Sequence, residues 1–176
     1  MVRLFLHAGK VSWFKNPAQA LIALGTDSRY THVGIEYDKR LIIESTTERG
    51  VDIRPISHYR DKVMNEKVRI DIYECLEAIN EREFFDWLVN QEGRKYDFKA
   101  ILFLAWLKIS VQRDKANQFQ RDKDYFCSEL AMVGLRMFAL NKEKAFKDLP
   151  NDNIISPADI SRSKSFHLAN TISKFG

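Results

Sequence analysis

Two short runs of alternating residues constrain the fold more than any other feature of the chain. Thr31-His32-Val33-Gly34-Ile35-Glu36-Tyr37 alternates with period two, and Arg40-Leu41-Ile42-Ile43-Glu44-Ser45 does so more weakly. Period two marks strands with one buried face, and two such runs close together predict an antiparallel hairpin. With Tyr37-Asp38-Lys39 as the loop, Glu36 pairs with Arg40, Ile35 faces Leu41 and Val33 faces Ile43, a consistent apolar face. That register sets His32 directly opposite Glu44 on the other face, with Cβ atoms about 5 Å apart. A shift of two residues leaves them diagonal neighbours on one face, whereas a shift of one separates them. The loop lacks the glycine that such a turn prefers.

Around the hairpin the chain reads as a mixture of strands and helices. Val2 to His7 is a first strand, which Gly9-Lys10 ends. Asn16-Pro17 looks like a helix start, with Ala18 to Leu24 as its turns and Gly25 as its stop. Glu48-Arg49-Gly50 is a turn before a strand at Val51 to Arg54, and Pro55 ends that strand. Glu66 to Cys75 reads as another strand, with Val68, Ile70 and Ile72 on one face. Asn80 to Glu92 is an amphipathic helix whose stripe is Phe84, Phe85, Leu88 and Val89, with Gly93 as C-cap. A short apolar helix follows from Phe98 to Ile109, then an exposed charged stretch from Gln112 to Asp124. The polar tail carries Pro150 and Ser156-Pro157 and ends in a short strand or turn around Phe166 to Leu168.

Chemistry enters with Tyr125-Phe126-Cys127-Ser128-Glu129-Leu130, which opens an apolar helical run reaching about Leu140. A cysteine in the first turn of a helix has its sulfur next to the positive end of the helix dipole and to unpaired backbone N–H groups. Both favour the thiolate and make it a better nucleophile. The polar lead-in from Gln120 to Asp124 places this end near solvent, while Leu130, Val133, Leu135, Met137 and Phe138 bury the rest. A free cysteine is as readily a buried structural residue, and this stretch alone does not decide between the two.

A thiol that attacks a carbonyl needs a base, and imidazole suits the task near neutral pH. Of the four histidines, His32 occupies a polar position of the hairpin. His7, His58 and His167 fall at element ends or in loops, where solvated histidines are common. A third group that fixes the imidazole completes such an arrangement. Glu44 is the candidate, Asp52 on the following strand is a second, and a solvent-facing strand glutamate is the plain alternative for Glu44.

Composition narrows the remaining choices. The 176 residues suffice for one domain with its own core, so 1–176 is read as a single domain. A net charge of +4 and a pI near 9.0 suit an anionic surface or polymer, but no Lys/Arg block is dense enough to argue for nucleic-acid binding. Cys75 and Cys127 cannot build a disulfide framework, and no C-x-x-C or Cys/His cluster points to zinc, so no metal or cofactor is expected. The N-terminal Met1 to His7 is too soon interrupted to read as a signal peptide. The apolar run from Phe98 to Ile109 carries Lys99 and Lys108 and falls short of the roughly twenty residues of a membrane-spanning helix. A cytoplasmic location with free thiols is the expectation.

Taken together, these motifs resemble a known family. Thr31-His32-Val33-Gly34-Ile35, then a glutamate strand and Gly50-Val51, is similar to the first half of a circularly permuted papain-like fold. Gly93-Arg94-Lys95-Tyr96-Asp97-Phe98, Phe126-Cys127-Ser128-Glu129-Leu130 and Ile155-Ser156-Pro157-Ala158-Asp159-Ile160 complete the order. The pattern resembles the YiiX-like branch of the NlpC-type cysteine peptidase superfamily, which is related to lecithin–retinol acyltransferase-like enzymes. It covers about residues 2 to 166, and its histidine and cysteine motifs are fairly specific in combination. The resemblance implies an α+β fold in which an antiparallel sheet packs against helices, with the cysteine at a helix N-terminus. It further implies Cys127 as nucleophile, His32 as base and Glu44 as the third member. Tyr96 falls on the family's Tyr-Asp position, where it lines the site or the oxyanion hole; a core-edge tyrosine is the equal alternative.

The leading expectation is a thiol hydrolase of peptide or isopeptide bonds acting through a thioester acyl-enzyme, on a peptide, peptidoglycan-like or acylated substrate. One alternative is an acyltransferase or lipid-ester or thioester hydrolase using the same triad, with the Phe98 to Ile109 helix making peripheral membrane contact. Another is a non-catalytic binding module. Two features depart from the family pattern. The charged stretch Gln112 to Asp124 is insertion-like and close to the nucleophile, and the lack of an export signal fits poorly with a secreted cell-wall enzyme. Oligomeric state is not legible in the sequence.

Overall fold

The computed structural model describes residues 1–9, 28–66, 68–97 and 125–174. The expected helix at Ala18 to Leu24, the apolar helix Phe98 to Ile109 and the charged stretch Gln112 to Asp124 lie outside them. The strands are β1 (Arg3–Ala8), β2 (Tyr30–Tyr37), β3 (Leu41–Thr46), β4 (Gly50–Pro55), β5 (Arg69–Cys75) and β6 (Phe166–Ile172). They form one six-stranded sheet in the order β4-β3-β2-β1-β5-β6, every neighbouring pair antiparallel. The helices are α1 (Ser57–Glu66), α2 (Glu81–Val89), α3 (Cys127–Met137) and α4 (Pro157–Arg162). The protein is thus a mixed α+β structure built on an antiparallel sheet.

Alternation along the strands divides the core in two. Leu4, Leu6, Val33, Ile35 and Ile43 join Phe84 and Leu88 of α2 and Leu130, Ala131 and Leu135 of α3 in the larger cluster. Their sequence neighbours Phe5 and Ile42 point the other way, and with Ile70 and Ile72 they pack against Tyr59 and Val63 of α1. The stripe expected on α2 is the one that packs: Phe84 and Leu88 are buried, with Phe85 and Val89 flanking them.

Several boundaries differ from the sequence reading. Residues expected to begin a strand at Glu66 instead end helix α1, and β5 starts at Arg69. The helix expected over Asn80 to Glu92 covers Glu81–Val89, so Gly93 lies in a turn after it rather than at its cap. Met137 is 44% exposed, and Met132 takes the place expected for it in the core.

The hairpin register is also corrected. The pairs are Gly34↔Glu44, Ile35↔Ile43, Glu36↔Ile42 and Tyr37↔Leu41, two residues away from the register expected. Asp38 and Lys39 both adopt left-handed backbone, with φ of 50° and 55°, and so form the tight turn without a glycine. The shift survives because it preserves the faces: apolar Ile35 and Tyr37 still meet apolar Ile43 and Leu41. Hydrophobic patterning fixes the parity of a register, and the turn fixes its value.

Gly50 is required where it stands. Its φ is +71°, and a Cβ there would collide with the carbonyl of Arg94. That close approach lets residues 93 and 94 extend the sheet edge, with Val51 N–H donating to Arg94 O (2.8 Å) and Gly93 N–H to Val51 O (2.9 Å).

Candidate active site

The β2–β3 ladder stops at Gly34–Glu44, whereas β3 continues with β4 as far as Thr46–Gly50 and β2 continues with β1 as far as Tyr30–Ala8. Strands β2 and β3 therefore part company at the level of His32. A register irregularity in the β1–β2 pairing sits at the same level: His7 pairs with His32, and the next pair skips Thr31 to reach Tyr30. Bulges bend a strand and re-aim its side chains.

The N-terminus of α3 is pinned at this opening by contacts on both sides of Cys127. Tyr125 N–H donates to Lys95 O (3.2 Å), and the Ser45 hydroxyl donates to Tyr125 O (2.6 Å). Phe126 N–H donates to the Glu129 carboxyl (3.3 Å), and the Ser128 hydroxyl donates to Ile155 O (2.9 Å). Ile155 in turn precedes α4, whose start is fixed by a capping box. Ser156 Oγ accepts from Asp159 N–H (3.3 Å), while Asp159 Oδ2 accepts from the Ser156 N–H (2.9 Å) and hydroxyl (2.6 Å), with Pro157 opening the helix. The Ile155-to-Ile160 motif thus acts as a clip on the start of α3.

His32 and Glu44 meet as diagonal neighbours across the hairpin. The His32 Nε2–H donates to Glu44 Oε2 at 2.6 Å, and both residues are buried. An ionised carboxylate only accepts, so the proton of this bond sits on the imidazole and leaves Nδ1 for another partner. Cys127 is the other group that acts on the ring. Burial opposes protonation of His32, but the charge of the Cys127 sulfur and its hydrogen bond outweigh it. The hydrogen bond and charge of Glu44 add to them, and the ring is pushed up to about 9. Burial likewise opposes ionisation of Glu44; the hydrogen bond and charge of His32, then the Tyr59 hydroxyl, overcome it and hold the carboxyl well below the usual range.

Cys127 itself is 2% exposed, against the expectation that the polar lead-in would leave it near solvent. The contacts to Ser45, Lys95 and Ile155 hold the helix start against the rest of the fold.

The remaining candidates sort plainly. Asp52 pairs across the ladder with Glu44, but its carboxylate takes Arg54 Nε (3.1 Å) and Arg49 Nη1 (3.4 Å) and does not orient the imidazole. Tyr96 is half-buried, and burial, then the charges of Cys127, Asp97 and Glu129, hold its hydroxyl neutral. Burial raises the Glu129 carboxyl to about 8, against the pull of the Phe126 N–H, so it is protonated near neutral pH. Among the described residues, no three His, Cys, Asp or Glu side chains converge as a metal site, and no helix is long and apolar enough to cross a membrane.

Two residues of the site escape sequence reasoning. Tyr59, on α1, donates its hydroxyl to Glu44 Oε2 at 2.5 Å. Its sequence signal is weak: Tyr59 and Val63 stand four apart, on one face of a mostly polar stretch that also holds Met64. His7, expected at a solvated strand end, is 5% exposed and stands edge-on to both His32 (4.9 Å between ring centres) and Tyr59 (4.5 Å). Burial, and then the neighbouring His32, hold His7 neutral. No protein-family model matches the chain, and no curated protein matches it either.

Proposed function

We propose that this protein is a cysteine hydrolase that cleaves an amide bond, peptide or isopeptide, through a thioester acyl-enzyme. The observation that carries the reading is the buried His32–Glu44 hydrogen bond at 2.6 Å, with Cys127 at a helix N-terminus acting on the same ring. Support for a circularly permuted papain-like architecture comes from the chain order, His32 and Glu44 on paired strands before Cys127 on a helix packed along β2 and β3.

The chemistry runs as follows. His32 Nδ1 holds the proton taken from the Cys127 thiol, and Glu44 stabilises the resulting imidazolium. The sulfur attacks the substrate carbonyl, forming a C–S bond as the carbonyl π electrons move onto oxygen. The backbone N–H of Cys127, at the N-terminal end of the α3 dipole, is suited to that oxyanion, and the neutral Tyr96 hydroxyl is a second donor. Collapse of the tetrahedral intermediate breaks the C–N bond, and the leaving amine takes the proton from His32. Water then attacks the thioester, gives its proton to His32 and releases the acid, after which His32 returns the proton to sulfur.

The same residues would serve an acyltransferase or a hydrolase of lipid esters or thioesters. The test is hydrolysis of a panel of peptides, isopeptides, and acyl esters and thioesters by wild type and Cys127→Ala. Amide cleavage lost in Cys127→Ala is the expected result. Cleavage of esters or thioesters alone would move the assignment to acyl chemistry, and no Cys127-dependent turnover would leave a binding module.

A further inference from the structure

We propose that Tyr59 is a positioning residue of this site, its hydroxyl fixing the Glu44 carboxylate in the orientation that holds His32 toward Cys127. The proposal rests on the catalytic reading of Cys127, His32 and Glu44.

Glu44 has few other restraints. Tyr59 and His32 both donate to Oε2, at 2.5 and 2.6 Å, while Oε1 has no hydrogen-bond partner among the described residues. Arg54 Nε stands 3.6 Å from Oε1, near enough to contribute charge but too far to direct a bond. The terminal torsion of a glutamate is soft. Without Tyr59 the carboxylate would hang on the very imidazole it has to orient. With Tyr59, one oxygen is anchored to a helix on the outer face of the sheet, and the histidine is aligned against a fixed point.

The surroundings are shaped to make this contact. Tyr59 is 1% exposed, and its ring is held edge-on by Phe5 (5.9 Å) and His7 (4.5 Å). Gly34 faces Glu44 across the ladder, and a Cβ there would lie 2.5 Å from the Tyr59 hydroxyl oxygen and 2.6 Å from Ile42 Cγ2. The missing side chain at position 34 is therefore the passage through which the hydroxyl reaches the carboxylate. A tyrosine serving only the core needs some acceptor for its hydroxyl. This one uses the oxygen that orients the imidazole.

The experiment is the rate of Cys127 alkylation by iodoacetamide between pH 5 and pH 9, with the stability of each variant followed in parallel. The proteins are wild type, His32→Ala, Tyr59→Phe, Glu44→Gln and the double variant Tyr59→Phe/Glu44→Gln. Tyr59→Phe is expected to lower the neutral-pH rate about threefold to tenfold, and the double variant to be no slower than Glu44→Gln alone, because both act through one contact. Gly34→Ala, which keeps the hydroxyl but crowds its path, should move the profile in the same direction. A wild-type profile in Tyr59→Phe, or losses that multiply in the double variant, would overturn the positioning role and leave Tyr59 as packing. If His32→Ala already leaves the wild-type rate unchanged, the catalytic reading fails first, and that outcome is distinct from a silent Tyr59→Phe.

Discussion

Cys75 and Cys127 are both free, and both lie in the larger core, 4% and 2% exposed. Burial pushes the Cys75 thiol up to about 12, and it donates a hydrogen bond to Glu77 O at 3.8 Å. It stands at the end of a strand, with Glu77 and Glu81 nearby to penalise a negative sulfur further. At pH 7 its thiolate fraction is on the order of 10⁻⁵. Cys127 is buried as deeply but opens a helix, beside an imidazole that Cys127 and then Glu44 push up to about 9. Equal burial thus comes with different surroundings: Cys127 lies beside the His32 ring, and Cys75 beside Glu77 and Glu81.

The comparison breaks most visibly if the His32 ring is removed. His32→Ala should slow Cys127 alkylation at pH 7 by about 100-fold, the scale of a lost acid–base partner, while leaving Cys75 unchanged. Alkylation followed peptide by peptide in one sample reads both.

Removing the third group comes next. Glu44→Ala leaves a buried imidazolium without its counter-charge and should cost about 3 kcal/mol in urea unfolding at pH 7. The pH dependence has a definite sign. The folded carboxyl is held below its unfolded value of about 4.3, so its contribution is present above that pH and is lost as pH falls through the folded value. Between pH 5 and pH 3 wild type should lose more stability than Glu44→Gln. His32, raised to about 9, contributes below its unfolded value near 6.5 and loses that contribution as pH rises through about 9.

Glu129 sharpens the contrast from the other side. Its carboxyl titrates near 8 when folded and near 4.3 when unfolded, so wild-type stability falls as pH rises between those values and then levels off. Glu129→Gln keeps an acceptor for the Phe126 N–H without the ionisation. Its stability gain over wild type should grow from pH 5 to pH 8, reaching about 1–3 kcal/mol in denaturant titrations. The smallest effect belongs to Cys75→Ala. It removes one buried sulfur, should cost about 1 kcal/mol, and should leave Cys127 reactivity untouched.

Much of this was legible in the sequence, and what was missed has identifiable causes. Period-two alternation placed His32 and Glu44 on one face, because face parity is written in the residues themselves. It could not give the register, since Ile35 and Tyr37 find apolar partners in either pairing and the decision lies in the backbone at Asp38 and Lys39. The helix beginning at Cys127 was legible from its apolar run. The burial of the sulfur was not, because Ser45, Lys95 and Ile155 come from distant parts of the chain to pin the helix start. Tyr59 and His7 were missed for the same reason: α1 is nearly all polar, and its one inward pair acquires meaning only once it lies over Glu44 and Gly34.

The most direct test of the account is the pH profile of iodoacetamide alkylation at Cys127 and Cys75, read by peptide mass spectrometry in wild type and His32→Ala. The account predicts that Cys127 reacts about 100-fold faster than Cys75 at pH 7 and that His32→Ala erases most of this difference. Equal, slow reaction at both sulfurs, unchanged by His32→Ala, would contradict it and return Cys127 to the status of a second buried core thiol.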